Sequence, residues 1–307
     1  MDRVWVLDAD GEEFEVVLPA RSDAPDFARR ITEVVETIAV AARLSGDEVM
    51  KQLLAAPGGP TGLPLSAAMS AKPLGRKAYG SIGHLTSSRL GPADHHVDPG
   101  QSDICTVRPV KGKTVWVQAK LDGSCCAVAK VGGEIVPLVR AGYRAESSRF
   151  VQHHLFAIWV RANADRFDVL LDEGERVVGE WLALAHSTRY RLDGRSPFVP
   201  FDLMVGVHRT VFDVFAGRVC QVGLPVPSTV AGPMLPEVAL TTVDHYGADN
   251  PEGVVYRVES GGRVDFLAKW VRSDKVDGAL LPEVSGVAPV WNWDLSDLPS
   301  EMPTAVR

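Results

Sequence analysis

Thr114-Val115-Trp116-Val117-Gln118-Ala119-Lys120-Leu121-Asp122-Gly123 is the stretch on which the fold turns. Its first six residues are β-branched, aromatic or small in near alternation, which predicts a strand. Gly123 predicts a turn into a second apolar run, Cys125 to Val128. A strand that delivers a lysine beside a carboxylate at its end has the arrangement a covalent amine nucleophile needs. Working outward, Gly132-Gly133 leads into a third strand, Glu134 to Val139, which ends in Arg140-Ala141-Gly142-Tyr143-Arg144.

The surrounding composition is that of a globular protein: 307 residues, 46% hydrophobic and 23% charged. The opening Met1-Asp2-Arg3 does not lead into a continuous apolar run, and no stretch approaches the roughly 18 unbroken apolar residues of a membrane span. A cytoplasmic protein away from the membrane is expected. Cys105, Cys125, Cys126 and Cys220 form no CxxC pair, and Cys125 and Cys126, adjacent on a strand, should face opposite sides of the sheet. Buried thiols in a reducing compartment follow. A net charge of −7 argues against coating nucleic acid non-specifically but leaves room for local basic grooves.

Residues 1–75 read as a small accessory module. Val4 to Leu7 and Phe14 to Leu18 flank Asp8-Ala9-Asp10-Gly11 as a hairpin. Ser22-Asp23-Ala24-Pro25 opens a helix with Phe27, Ile31, Val34, Val35, Ile38, Ala41 and Leu44 on one face. A second helix runs from the capping box Ser45-Gly46-Asp47-Glu48 to about Ala55, and a Pro/Gly linker ends near Pro73. Beyond it, Tyr79 to Gly91 is dense in glycine and hydroxyls and suits a phosphate-lining loop as well as a plain one. Asp94-His95-His96 with Asp98 reads as a surface turn, because no companion cluster has metal spacing. An amphipathic helix is expected over Phe150 to Asn163 and another over Pro236 to Tyr246. Strands are expected over Arg176 to Ala183, Pro197 to Val205, Pro251 to Val258 and Arg263 to Arg272. Strands with few helical crossovers predict an α+β fold of largely antiparallel sheets flanked by helices.

A lysine at a strand end, Glu180 and Glu252 inside apolar strand text, and a late strand lysine, Lys269, follow one another in order. Buried charges are costly unless paired or coordinating, so one sheet face gathering them would make a polar cleft. The alternative is a set of unrelated charges facing solvent on alternating strands.

The ordered segments Lys120-Leu121-Asp122-Gly123, Arg140-Ala141-Gly142, Val178-Gly179-Glu180-Trp181, Phe201-Asp202-Leu203, Pro251 to Arg257 and Phe266 to Trp270 resemble the motif series of the covalent nucleotidyltransferases, the superfamily of polynucleotide ligases and RNA capping enzymes. The spelling is closest to ATP-dependent RNA ligases and spans about Lys77 to Lys275. The resemblance implies a catalytic nucleotidyltransferase domain over residues 76–275, with residues 276–307 as a tail. It implies that Lys120 attacks the α-phosphate of ATP to form lysyl-AMP, that AMP passes to an RNA 5′-phosphate, and that a 3′-hydroxyl then joins, as in RNA repair. Gln118 would contact adenine, Arg140 the ribose or the polynucleotide, and Glu180 the ribose. Glu252, with Asp122, would hold Mg²⁺ or Mn²⁺, and Lys269 would grip phosphates. A free lysine titrates near about 10.4, and a desolvated site with a second cation and a metal nearby is expected to favour the neutral amine.

Three positions depart from the pattern. Leu267 stands where a second lysine is usual, Val178 where many members carry an aromatic ring, and Cys125 where an arginine or asparagine is common. They keep open an alternative, a catalytically impaired ligase-like protein that binds nucleotide or RNA. The proline-rich segment after Lys275 is too short for the five strands of an OB barrel, so no C-terminal OB domain is expected, which favours RNA ligases over the other branches. Trp291-Asn292-Trp293 is expected to pack on the domain. Phosphate contacts to RNA are expected around Lys111, Lys113, Arg140, Arg144 and Arg149.

Overall fold

The computed structural model describes residues 3–7, 13–17, 72–91, 94–286 and 288–294. Strands β1 (Arg3–Leu7) and β2 (Glu13–Val17) pair antiparallel, with Arg3 opposite Val17, as the hairpin reading expects. This hairpin belongs to one compact unit and residues 72–294 to another. The two helices and the linker expected between residues 22 and 71 lie outside the described residues.

The larger unit is built on two five-stranded sheets. Sheet one has the order β10 (Thr229–Ala231), β4 (Lys113–Lys120), β11 (Gly253–Ser260), β12 (Arg263–Val271) and β3 (Gly83–His84). Sheet two has the order β6 (Glu134–Val139), β5 (Ser124–Val131), β7 (Glu175–Trp181), β8 (Phe198–Val205) and β9 (His208–Arg209). Every pairing is antiparallel except the short β12–β3 contact. The α+β expectation of largely antiparallel sheets flanked by helices therefore describes the protein.

The Lys120–Gly123 stretch is the passage between the sheets: β4 ends in sheet one and β5 opens sheet two. Alternation along β7 places Glu180 on the inner face and Trp181 on the outer face. There Trp181 meets Phe156 and Trp159 of α2 (Val151–Ala162), with ring centroids 5.4 and 5.7 Å apart. Phe198 of β8 packs against Phe156 and against Phe167 of α3 (Ala164–Leu170). Trp181, Phe156, Phe167 and Phe198 are fully buried. At about 1.5–3 kcal/mol for a large apolar side chain, this aromatic layer fixes both helices on the outer face and leaves the inner face for chemistry.

The two sheets are also tied by charge. Arg257 of β11 donates to Asp202 of β8 (3.1 Å) and to Glu259 (2.7 Å), and Arg209 of β9 donates to the other Asp202 oxygen (2.7 Å). Arg257 and Asp202 are wholly buried, so each is tolerable only because the other is there.

Four helices were not anticipated: α1 (Pro99–Thr106), α3, α4 (Phe212–Gln221) and the single turn Pro282–Ser285. The first begins at Asp98, whose capping box with Gln101 was present in the text read as a turn. In α4 only Phe215 and Val219 are buried, a stripe too thin to stand out beside Gly217. Helix α5 spans Pro236–Thr242, and the turn Pro282–Ser285 is α6. After β12 the described residues add α6 and no further strand. The final segment packs on the unit: Trp293 meets Trp181 at 5.5 Å, and Asn292 donates to Leu182 O and accepts from Tyr190 N.

Candidate active site

Strand register assembles the site. Gln118 of β4 lies opposite Val255 of β11, which lies opposite Lys269 of β12, and one pleat further Lys120 lies opposite Gly253. Residues directly across a sheet, and residues two apart on a strand, share a face. Gln118, Lys120, Val255, Leu267 and Lys269 therefore form one surface, and they line a cleft of about 610 Å³ whose other walls include Cys125, Arg140, Glu180, Phe150 and Tyr79. Glu252 precedes β11 by one residue rather than sitting within it, and the pairing of Gly253 with Lys120 brings its carboxylate to the amine. Lys120 Nζ lies 2.6 Å from Glu252 Oε2.

Electrostatics set the state of this amine. Burial pushes Lys120 down, but the Glu252 and Glu180 carboxylates outweigh burial and hold it above the ordinary lysine range. Two carboxylates dominate its surroundings, and the neutral amine that the resemblance implies calls for a metal and a second cation beside them. Burial pushes the Glu180 carboxyl up to about 7, despite Lys120 and the Gly123 N–H that donates to its Oε1 at 3.0 Å. Burial also raises Glu252. Lys269 is pushed down by burial and then by Lys120.

Asp122 also lines the cleft, but its carboxylate is engaged by other partners. Its Oδ2 accepts from Lys275 Nζ (2.5 Å) and from the Ser187 N–H (2.9 Å), and its own N–H donates to Tyr190 Oη (2.8 Å). Lys275 is buried and also donates to Thr188 Oγ1 at 3.2 Å. Sequence reasoning missed Lys275 and Tyr190, because they sit in irregular segments whose partners are set by chain crossing rather than by spacing. Lys275 in Arg272-Ser273-Asp274-Lys275 reads as a solvated loop cation.

The other expected residues are placed as follows. Gln118 is buried, and its amide donates to Thr229 Oγ1 at 3.2 Å. Arg140 lines the cleft and donates to Ser81 Oγ at 3.1 Å, so the Tyr79–Ile82 segment borders the site. Asp94, read as part of a surface turn, lies 3.5 Å from Lys269 Nζ and 3.1 Å from His84 Nε2. Ser88 Oγ is 2.8 Å from His84 Nδ1, but it accepts the Val271 N–H and is buried, so this Ser–His–Asp series supports Lys269 rather than forming a nucleophile. Cys125 lines the cleft and Cys126 is buried, as adjacent strand positions require. Leu267 lines the cleft and Val178 lies in the core. Among the described residues, no three His, Cys, Asp or Glu side chains converge as a metal site. Glu252 and Glu180 do bring carboxylate oxygens to one cleft, which suits a divalent ion that arrives with phosphate oxygens rather than one held in an all-protein cage. No helix among the described residues is long and apolar enough to cross a membrane.

Among curated proteins, none matches the chain. Solved structures do: an archaeal ATP-dependent RNA ligase at 18% identity and TM-score 0.39, over 64% of this chain and 48% of that one. A Naegleria gruberi RNA ligase mutant solved with ATP and manganese matches at 16% and TM-score 0.41, over 64% and 60%. A putative ATP-dependent DNA ligase from Aquifex aeolicus matches at 16% and 0.39, over 64% and 50%. The chain thus aligns with about half the length of the archaeal enzyme. The model of the family described as RNA ligase matches residues 113–271, from the first residue of the strand that carries Lys120 to the last of the strand that carries Lys269, and more than half of the sequence. By that match the chain belongs to the RNA ligase family.

Proposed function

We propose that the protein is an ATP-dependent RNA ligase that works through a lysyl-AMP intermediate. The observation that carries this reading is Lys120 at the end of β4, in a cleft shared with Glu252, Glu180 and Lys269. Lys120 Nζ attacks the α-phosphorus of ATP, the P–N bond forms as the bond to the bridging oxygen breaks, and pyrophosphate leaves. The amine must first part from Glu252 and lose its proton, so the pair keeps the nucleophile charged until substrate displaces it. Lys269, held by Asp94, offsets charge developing on the phosphate oxygens. Gln118 and the apolar wall of Val255 and Leu267 give the adenine a place, and Arg140 stands at the rim for ribose or RNA. Glu252 and Glu180 would hold Mg²⁺ or Mn²⁺; once bound, the ion supplies Lewis-acid charge to the phosphate oxygens. The committed partnership of Asp122 with Lys275 argues for a positioning part rather than the metal-ligand part the resemblance implies.

Transfer of AMP from Lys120 to an RNA 5′-phosphate and attack by a 3′-hydroxyl complete the reaction. In this reading residues 76–275 carry the chemistry and residues 1–75 are accessory. The test is intact-protein mass after incubation with ATP and a divalent metal. The wild type should gain one AMP and Lys120→Ala none, and the wild type should then join RNA ends better than the same ends in DNA. A wild type that stays unmodified would refute the enzyme reading and leave a ligase-like binding protein, which Leu267 in the cleft would explain.

A further inference from the structure

Helix α2 (Val151–Ala162) begins at the cleft wall, and N–H groups of its first turn are open. No side chain caps the turn, no acid lies in it, and the Val151 and Gln152 amides donate to no described residue. The side chain of Gln152 is 6% exposed, lines the cleft, and makes no hydrogen bond with any described residue. A side chain that is nine-tenths buried, has no described partner and opens onto a cleft is placed to meet a ligand there.

Its neighbour His153 can act as a second donor. Ser148 Oγ accepts the Phe150 N–H at 3.2 Å and lies 2.6 Å from His153 Nδ1. In the tautomer whose Nδ1 accepts the Ser148 hydrogen, the neutral ring carries its proton on Nε2, and no described residue takes that proton. Burial, followed by the neighbouring His154 and His186, pushes His153 down to about 4, which keeps the ring neutral at ordinary pH. Arg149 adds a cation beside the turn, its guanidinium 4.8 Å from the Phe150 ring. Donors without acceptors, at the positive end of a helix, select an anion with several acceptor oxygens.

We infer that the first turn of α2, with Gln152 and His153, is a phosphate subsite that takes the 5′-phosphate of the RNA strand to be activated. The terminal phosphates of ATP have the same chemistry, and the test separates the two. The helix position favours the RNA end, because the lysines that a triphosphate would engage, Lys120 and Lys269, project from sheet one. This subsite rests on the RNA ligase reading given above.

The experiment measures binding of a short single-stranded oligoribonucleotide with a 5′-phosphate and of the same strand with a 5′-hydroxyl, using the full chain. The wild type should prefer the phosphorylated strand by on the order of tenfold, the worth of one or two charge-assisted hydrogen bonds. Gln152→Glu, which sets a negative charge in the turn, should abolish the preference, and His153→Gln, nearer the rim, should weaken it if the first variant folds poorly. Equal preference in wild type and both variants would overturn the subsite. Loss of ATP affinity in Gln152→Glu that exceeds the loss of preference would assign the turn to the triphosphate and overturn the RNA assignment. Titration with inorganic phosphate followed by phosphorus NMR reads the subsite without RNA. Phosphate binding lost in Gln152→Glu, in a protein that binds neither strand, would support the anion subsite and refute the RNA reading. RNA binding in a wild type that shows no phosphate binding would refute the subsite alone.

Discussion

Lys120 and Glu252 form a pair in which each explains the other's burial, and replacing Glu252 tests it without altering shape. In the proposed mechanism Glu252→Gln should lower lysyl-AMP formation by orders of magnitude, because it removes a charge that would hold the metal as well as one beside the amine. Circular dichroism should still report a folded protein, and unchanged turnover at limiting metal would remove Glu252 from the site. The Lys275–Asp122 pair calls for a cycle. Lys275→Met leaves a carboxylate in the cleft floor with only the Ser187 amide, at a cost of roughly 3 kcal/mol, while the double variant with Asp122→Asn should recover most of it. Denaturant midpoints for the four proteins give the coupling directly. Additive losses would show that the two side chains do not depend on one another.

Among the elements, the turn from β4 to β5 bears the tightest constraint. A Cβ on Gly123 would run into the Trp181 carbonyl oxygen of β7, so any side chain forces the two sheets' junction apart. The same glycine's N–H holds Glu180. Gly123→Ala is expected to cost about 1–3 kcal/mol and to lower adenylation beyond what lost stability explains. Thermal melting and adenylation measured well below the melting range separate the two effects. A second close approach sits where Gly142, with φ +92, lies against the Arg76 carbonyl. There the Ala78 and Tyr79 amides donate to Arg140 O, which seats the Tyr79–Ile82 segment at the cleft edge.

For the whole molecule, stability against pH follows in part from two imidazoles, His84, which is buried, and His153, which is partly buried. His84 and His153 are each pushed down, first by burial, from 6.5 to about 4. Between these values the unfolded chain binds more protons, so their contribution is full above about 6.5 and is lost as pH falls through about 4. Glu180, raised from 4.5 to about 7, has the opposite sign: its proton binding favours the folded state as pH falls through that window. The difference between wild type and His84→Gln isolates one imidazole. Urea midpoints should fall less steeply with acid in the variant, and identical slopes would show that His84 is not held neutral.

The sequence by itself determined the long strands, where the lysine-bearing turn lies, and that Cys125 and Cys126 face apart, because side-chain alternation and glycine placement are local properties. The short strands β3, β9 and β10, by contrast, exist only through their partners. It also determined the ordered residues Gln118, Lys120, Arg140, Glu180, Glu252 and Lys269, all of which line one cleft. Only the tertiary structure decided which groups those residues meet. Register set Gly253 against Lys120, so that Glu252 holds the amine charged. Chain crossing brought Lys275 to Asp122 and Asp94 to Lys269. The same crossing set the bare end of α2 in the cleft wall, where helix periodicity alone says nothing of what the helix points at. The reason is range: backbone preference acts over a few residues, whereas the charge state of a buried group is the sum over neighbours that only the folded chain supplies.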